Sequence, residues 1–264
     1  MSDLHQERDK LLRVAVDRSA RDVLGSEIRA VTFDFWNTLF QPGPIMPWRL
    51  LQAIVFLRER GAELSDEQIA VHFEVAQRLN DQRWRAGQHF GGAGVARHLL
   101  EAVFGSAGEA EVGLLLELFQ EPADPSQPVQ PVPGVGAALA RLKAAGCVMG
   151  IVSDTGFLTG ASLRRLLERE GLAEYFEPTA LAFSDEVGMP KPHPAMFGTA
   201  LVALGQDAAA AAHVGDLRFT DVAGSRSVGM FSVRFNGCFD DQEELPDADL
   251  VLGAYEELPA GLGF

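Results

Sequence analysis

Residues 28–33, Ile-Arg-Ala-Val-Thr-Phe, form a largely apolar run that stops at Asp34 and passes into Phe35-Trp36-Asn37-Thr38-Leu39. The pattern reads as a buried strand that delivers one carboxylate to its end. In open α/β sheets ligands sit outside the carboxyl ends of strands, so an acid there is placed for chemistry more than for packing. The second half of the chain supplies the rest of such a sheet. Helical spacing over Val135–Ala145, Leu158–Glu170, Ala195–Leu204 and Asp221–Val228 alternates with apolar stretches at Cys147–Val152, Thr179–Phe183, Ala211–Val214, Met230–Arg234 and near Leu250. Such alternation predicts an α/β fold: a Rossmann-like parallel sheet with helices on both faces.

From Pro44 the pattern is helical throughout: Trp48–Arg60, then Ser65–Arg85 with Ser65 and Gln68 as a capping box, Val95–Phe104 and Glu109–Phe119. The reading is an inserted all-helical cap over 44–130, with 28–43 and 131–264 as the α/β core. Residues 121–133 hold five prolines that cannot continue a helix, which predicts a stiff hinge back to the core. Residues 1–27 carry leucines and valines at loose helical spacing and predict an amphipathic N-terminal helix suited to packing, or to a homodimer contact.

At 264 residues the chain can bury one sizeable core plus a smaller unit. A net charge of -15 leaves no basic face for nucleic acid, so the expected partner is a small molecule. An anion handled inside so acidic a protein needs local neutralisation by a metal ion or a fixed cation. Cys147 and Cys238 lie beside apolar residues and suit reduced packing positions. No apolar run approaches the roughly 18 residues of a membrane span. The first residues lack a signal-peptide pattern, and the expected location is the cytoplasm.

Four positions fall at strand ends. Asp34 is the first, and Ser153 follows Val148-Met149-Gly150-Ile151-Val152, where its hydroxyl and neighbouring N–H groups suit an anionic oxygen or a helix cap. Lys191 sits in Pro190-Lys191-Pro192-His193-Pro194 and is one of only three lysines, with Lys10 and Lys143. Prolines on both sides preorganise its ammonium. Val214-Gly215-Asp216 and Asp221 place two carboxylates just past a short strand, hard oxygen ligands of the kind that suit Mg²⁺. Asp216 is read as the direct ligand and Asp221 as partly supporting.

With these four motifs in order, the chain resembles the haloacid dehalogenase-like hydrolase superfamily over roughly residues 28–255, in the subgroup whose helical cap follows the first strand. The resemblance implies a phosphatase of a small phosphorylated metabolite, with Asp34 as the nucleophile that forms an aspartyl-phosphate. Mg²⁺ would be held by Asp34, the Trp36 backbone carbonyl and Asp216 with Asp221. Ser153 and Lys191 would hold the transferring group with Asn37 and Asp154 beside it, and Thr38 would orient the nucleophile loop.

One residue departs from that pattern. Phosphatases of the superfamily usually carry a second aspartate two residues after the nucleophile, as general acid, and here that position is Trp36. Loss of general acid catalysis typically costs about 10²–10⁴ in rate, so a substitute such as Asp154 or His89 is needed, or the leaving group departs without a proton. An aromatic residue there also fits a haloacid dehalogenase, where halide leaves unprotonated and no metal is required. A third reading is a binding or regulatory protein that keeps the anion site without turnover. The phosphonoacetaldehyde-cleaving branch needs a cap lysine, and residues 44–130 contain none. Trp48, Arg49, Arg85 and His89 are candidates to line a substrate pocket, and Gly91-Gly92-Ala93-Gly94 a candidate hinge, although taken singly each is more simply read as packing, solvated charge or a plain helix connection.

Overall fold

A computed structural model describes residues 27–43, 45–120 and 129–264. The N-terminal helix expected within 1–27 and the Glu121–Pro128 part of the hinge lie outside these residues. The described residues divide into two compact units: one of 27–41, 130–154 and 167–264, the other of 42–43, 45–120, 129 and 155–166.

The first unit is built on a six-stranded sheet, all parallel: β1 (Ala30–Phe33), β4 (Val148–Ser153), β5 (Leu181–Phe183), β6 (Ala211–Gly215), β7 (Phe231–Phe235) and β8 (Leu250–Leu252), in the order β5-β4-β1-β6-β7-β8. Helices α5 (Val135–Ala144), α6 (Gly160–Arg169), α7 (Ser184–Val187), α8 (Pro194–Leu204), α9 (Ala223–Val228) and α10 (Leu258–Gly261) punctuate the strands. The chain runs outward from β1 through β4 to β5 and then restarts on the other side of β1 with β6. This reversal makes the carboxyl ends of β1 and β6 a topological switch point, where successive loops diverge and leave a crevice. β1 is buried along its whole length, as befits a strand with neighbours on both edges and helices on both faces.

A two-stranded antiparallel ribbon, β2 (Phe40–Gln41) with β3 (Gln130–Pro131), joins the chain where it leaves the first unit and where it returns. Neither strand is legible in the sequence. Each is two residues long, and β3 contains a proline, tolerated because the ribbon is all edge.

The second unit packs α1 (Ile45–Glu59), α2 (Asp66–Arg85), α3 (Gly91–Phe104) and α4 (Glu109–Phe119) around Leu57, Phe73, Leu99, Leu115 and Phe119. The Ser65 cap closes as its spacing implies, with Gln68 N–H donating to Ser65 Oγ and Ser65 N–H to Gln68 Oε1. The four residues Gly91–Gly94 are not a hinge: they are the first turn of α3. A Cβ on Gly92 would stand 2.4 Å from the Phe157 carbonyl oxygen, so glycine here permits close backbone approach rather than bending.

Phe157 also explains why residues 155–166 belong with the helices rather than the sheet that precedes them. Its ring is buried between Phe73 (6.1 Å, stacked) and Phe119 (6.0 Å, edge-on), and the Gln120 amide donates to its carbonyl. Phe157→Ala removes that contact and is expected to cost about 3–4 kcal/mol, read as a lower urea midpoint in circular dichroism. A change under 1 kcal/mol would show that the helical core closes without it.

Candidate active site

The switch point collects the acidic residues. β1 stops after Phe33 because Asp34, whose N–H still bonds the Val214 carbonyl at 2.8 Å, is followed by a tight loop. That loop is closed by the Asn37 and Phe40 N–H groups on the Phe40 and Phe35 carbonyls. Asn37 takes φ +56°, a left-handed conformation that asparagine accepts more readily than most residues. Its side-chain amide then donates to Asp216 Oδ2 at 3.0 Å, tying the loop after β1 to the loop after β6.

Ser153, the last residue of β4, donates from Oγ to Asp34 Oδ1 at 3.0 Å. Lys191 Nζ donates to the same oxygen at 2.5 Å and to Asp221 Oδ1 at 2.6 Å. Both side-chain donors therefore fall on Oδ1, and no side chain among the described residues claims Asp34 Oδ2. Lys191 is itself held from behind, since its backbone N–H donates to Asp154 Oδ1 at 2.9 Å. Asp154 thereby acts on the lysine. His89, the other proposed substitute acid, is exposed and belongs to the helical unit.

Asp221 lies in a single π-type turn, Arg218–Val222, a distortion of helical geometry common at functional sites. Its Oδ1 takes Lys191 and the His213 ring (Nε2, 3.0 Å), while its Oδ2 takes the Leu217 N–H at 3.0 Å and the Thr220 hydroxyl at 3.2 Å. Gly215 makes room for it: a Cβ there would stand 2.2 Å from Asp221 Cγ. Both oxygens are engaged, so the geometry makes Asp221 a support for Lys191, and only Asp216 offers a carboxylate with a single side-chain donor on it.

Three residues of this network escaped the sequence reading. Thr32 and His213 are register partners on β1 and β6, and Thr32 Oγ1 meets His213 Nδ1 at 2.9 Å. Because an ionised Asp221 only accepts, His213 Nε2 carries the proton and Nδ1 accepts from Thr32. Their signal was one polar residue in each of two otherwise apolar strands. Tyr255, fully buried, donates from Oη to the Thr38 carbonyl at 2.9 Å and braces the nucleophile loop through its main chain. The buried Thr38 hydroxyl makes no hydrogen bond among the described residues.

Electrostatics follow from packing three buried carboxylates around one ammonium. Burial raises Asp34 above the usual carboxylate range, with Lys191 pulling against it, and raises Asp216 further, with the charges of Asp34 and Asp221 adding to the effect. Burial acts on Asp221 in the same direction, but Lys191 and His213 outweigh it and hold it well below its ordinary value. Lys191 is stripped of water too, yet Asp221, Asp34 and Asp154 keep it firmly protonated. Burial holds His213 neutral. With every carboxylate ionised, the cluster carries two uncompensated negative charges.

That surplus is the test of a metal. Among the described residues no group of three His, Cys, Asp or Glu side chains stands ready to hold an ion. Mg²⁺ does not require one: it binds through one or two carboxylates, keeps several waters and shares substrate oxygens. Two buried carboxylates short of positive charge, Asp34 and Asp216, with oxygen-only donors, fit a hard divalent cation.

A doubly wound parallel sheet whose central strand ends in a buried, lysine-paired aspartate at the switch point defines an α/β protein with an acidic crevice. Residues 28–229 match the profile of the haloacid dehalogenase-like hydrolases, and the chain belongs to that family. It is 37% identical over 143 residues to "Probable phosphatase IndB" of Dickeya dadantii, a match covering 53% of this chain and 60% of that protein. It is 36% identical over 104 residues to a glyceraldehyde 3-phosphate phosphatase of Pyrococcus abyssi, covering 39% of this chain and 42% of that one. These matches thus span less than two thirds of either relative's length. Among solved structures, a 2-haloacid dehalogenase of Pseudomonas syringae shares 26% identity at a TM-score of 0.64, covering 89% of this chain and 98% of that one. No helix among the described residues is long and apolar enough to cross a membrane.

Proposed function

We propose that this protein is a Mg²⁺-dependent phosphatase acting on a small phosphorylated metabolite through an aspartyl-phosphate on Asp34. The observation that carries the reading is Asp34 itself, with Oδ1 pinned by Ser153 and Lys191 and Oδ2 left for attack. Asp34 Oδ2 forms a bond to phosphorus as the bond to the leaving oxygen breaks, and the electron pair leaves with that oxygen. Water then hydrolyses the acyl phosphate and returns the carboxylate. Ser153 and Lys191 supply one hydroxyl and one ammonium to the non-bridging oxygens, and Asn37 keeps Asp216 and the nucleophile loop in step. Asp34, Asp216 and the Trp36 carbonyl would hold the cation, which when bound offsets the charge gathering on the transferred group. Asp221, spent on Lys191 and His213, serves as the lysine's anchor.

The metal test is direct. Activity on p-nitrophenyl phosphate should fall at least about a hundredfold in excess chelator, ~3 kcal/mol of barrier, and return with Mg²⁺. Unchanged hydrolysis in chelator would overturn the metal assignment. Halide release from a 2-haloacid in chelator would replace phosphatase by dehalogenase, the reading that Trp36 and the Pseudomonas syringae likeness favour.

Trp36 makes a second prediction. An indole N–H is far too weak an acid to protonate a leaving oxygen, so rates over a series of aryl phosphates should fall steeply as leaving-group pKa rises, and Trp36→Asp should flatten the slope and raise the rate on alkyl phosphates about tenfold or more. A flat series in the native enzyme would mean that another residue supplies the proton.

A further inference from the structure

Arginine is almost never fully buried unless paired. Arg49, on α1, is 3% exposed, and among the described residues no carboxylate pairs with it. Among the described residues its guanidinium has one hydrogen bond, from Nε to the Phe119 carbonyl at 3.3 Å, and it lies 5.0 Å from the centroid of the Phe157 ring. Phe119 ends α4, so the carbonyl contributes only a fraction of a charge, and one ring face adds a weak attraction. The remaining N–H groups of its planar fork have no acceptor among the described residues. Burial drags its pKa down to about 9, the mark of a cation deprived of water with no counter-charge among the described residues. In the same turn, the indole N–H of Trp48 is buried and has no partner among the described residues. Every one of these groups belongs to the helical unit.

We propose that Arg49 anchors an oxyanion subsite within the helical unit, which takes the carboxylate or phosphate group of a small molecule. The fork of a guanidinium matches both groups through two parallel hydrogen bonds, and the Phe157 ring gives it an apolar neighbour 5.0 Å away. Spherical halide uses neither feature. The subsite does not depend on the reaction proposed above. The oxyanion either arrives as a free small molecule or is carried on a substrate.

Thermal melts with added acetate and with inorganic phosphate, at ionic strength fixed by sodium chloride, read the subsite directly, because an anion bound only by the folded protein raises the midpoint. Saturable stabilisation is expected in the native protein and in Ser153→Ala, with the apparent Kd at least tenfold weaker in Arg49→Met. Stabilisation that vanishes in Ser153→Ala and persists in Arg49→Met would assign the anion to the sheet and overturn the proposal. Should Arg49→Met not fold, Arg49→Lys keeps the charge without the fork and must weaken binding several-fold; equal affinity overturns it. Kinetics then separate the two sources. A tenfold higher KM for 2-phosphoglycolate in Arg49→Met, with p-nitrophenyl phosphate within twofold, places the oxyanion on the substrate, whereas unchanged KM values beside lost anion binding make it a free ligand. If the native protein hydrolyses neither ester, the phosphatase reading fails while the melts still decide on Arg49.

Discussion

Asp34→Asn should lower kcat on an activated phosphate ester by at least ~10⁵ while leaving the fold intact, since removing a nucleophile costs as much as removing the whole catalytic unit. Asparagine keeps the size and the acceptor oxygen that Ser153 and Lys191 contact at Oδ1. What it loses is the charge and the basicity that let Oδ2 attack phosphorus. A second consequence separates this from simple damage. Taking one of three buried carboxylates away relieves repulsion that Asp216 feels from Asp34, so the metal-free variant should be as stable as the native protein or more so, by about 1 kcal/mol. Retained activity within tenfold would show that Asp34 is not the nucleophile. Lost activity with a lower melting point would show that it holds the sheet edge instead.

The part of this site legible in sequence was the part written in strand ends. Asp34, Ser153 and Asp216 each follow an apolar run, so period and polarity locate them, and Lys191 declares itself through the prolines around it. Side chains that act from within a strand did not show. Thr32 and His213 lie inside β1 and β6, and only the register that places them side by side turns two unremarkable polar residues into the support of Asp221. Tyr255 is 217 residues from the loop it braces, a separation no local pattern encodes. Sequence also divided the chain by continuity. The helical unit recruits residues 155–166 from beyond β4 because Phe157 finds its burial there, a packing outcome invisible to composition. The glycines at 91–94 misled for a related reason: glycine marks both bending and close approach, and only the 2.4 Å to the Phe157 oxygen distinguishes them.

The nucleophile depends on a counter-charge, and Lys191→Met probes that dependence. Among the described residues Lys191 is the one ammonium on Asp34 and Asp221, both buried, and methionine replaces it with similar length and no charge. Breaking a buried pair by removing one partner typically costs about 3–5 kcal/mol, because the remaining charges stay desolvated. The pH dependence gives the signature. In the native protein Asp221 titrates below its ordinary value near 3.8, so its contribution to stability is present above that value and is lost as pH falls through the depressed one. Without Lys191 the carboxylates lose the charge that opposes burial: Asp34, already raised by burial and by Asp221, rises further, while Asp221 keeps only His213 and its neighbouring donors to hold it down, so the folded state binds protons more readily than the unfolded chain and stability grows as pH drops from neutral toward about 4. Chemical denaturation of Lys191→Met between pH 7 and pH 5 should therefore show stability rising more steeply than in the native protein, where the raised Asp34 and Asp216 already favour the folded state as pH falls. Its kcat should fall about 10³-fold or more, since the transferring oxygens lose their fixed cation and Asp34 is partly protonated. A variant that keeps the native pH profile would mean that the three carboxylates are balanced by some charge other than Lys191, and the account of Asp34 as an ionised nucleophile would lose its basis.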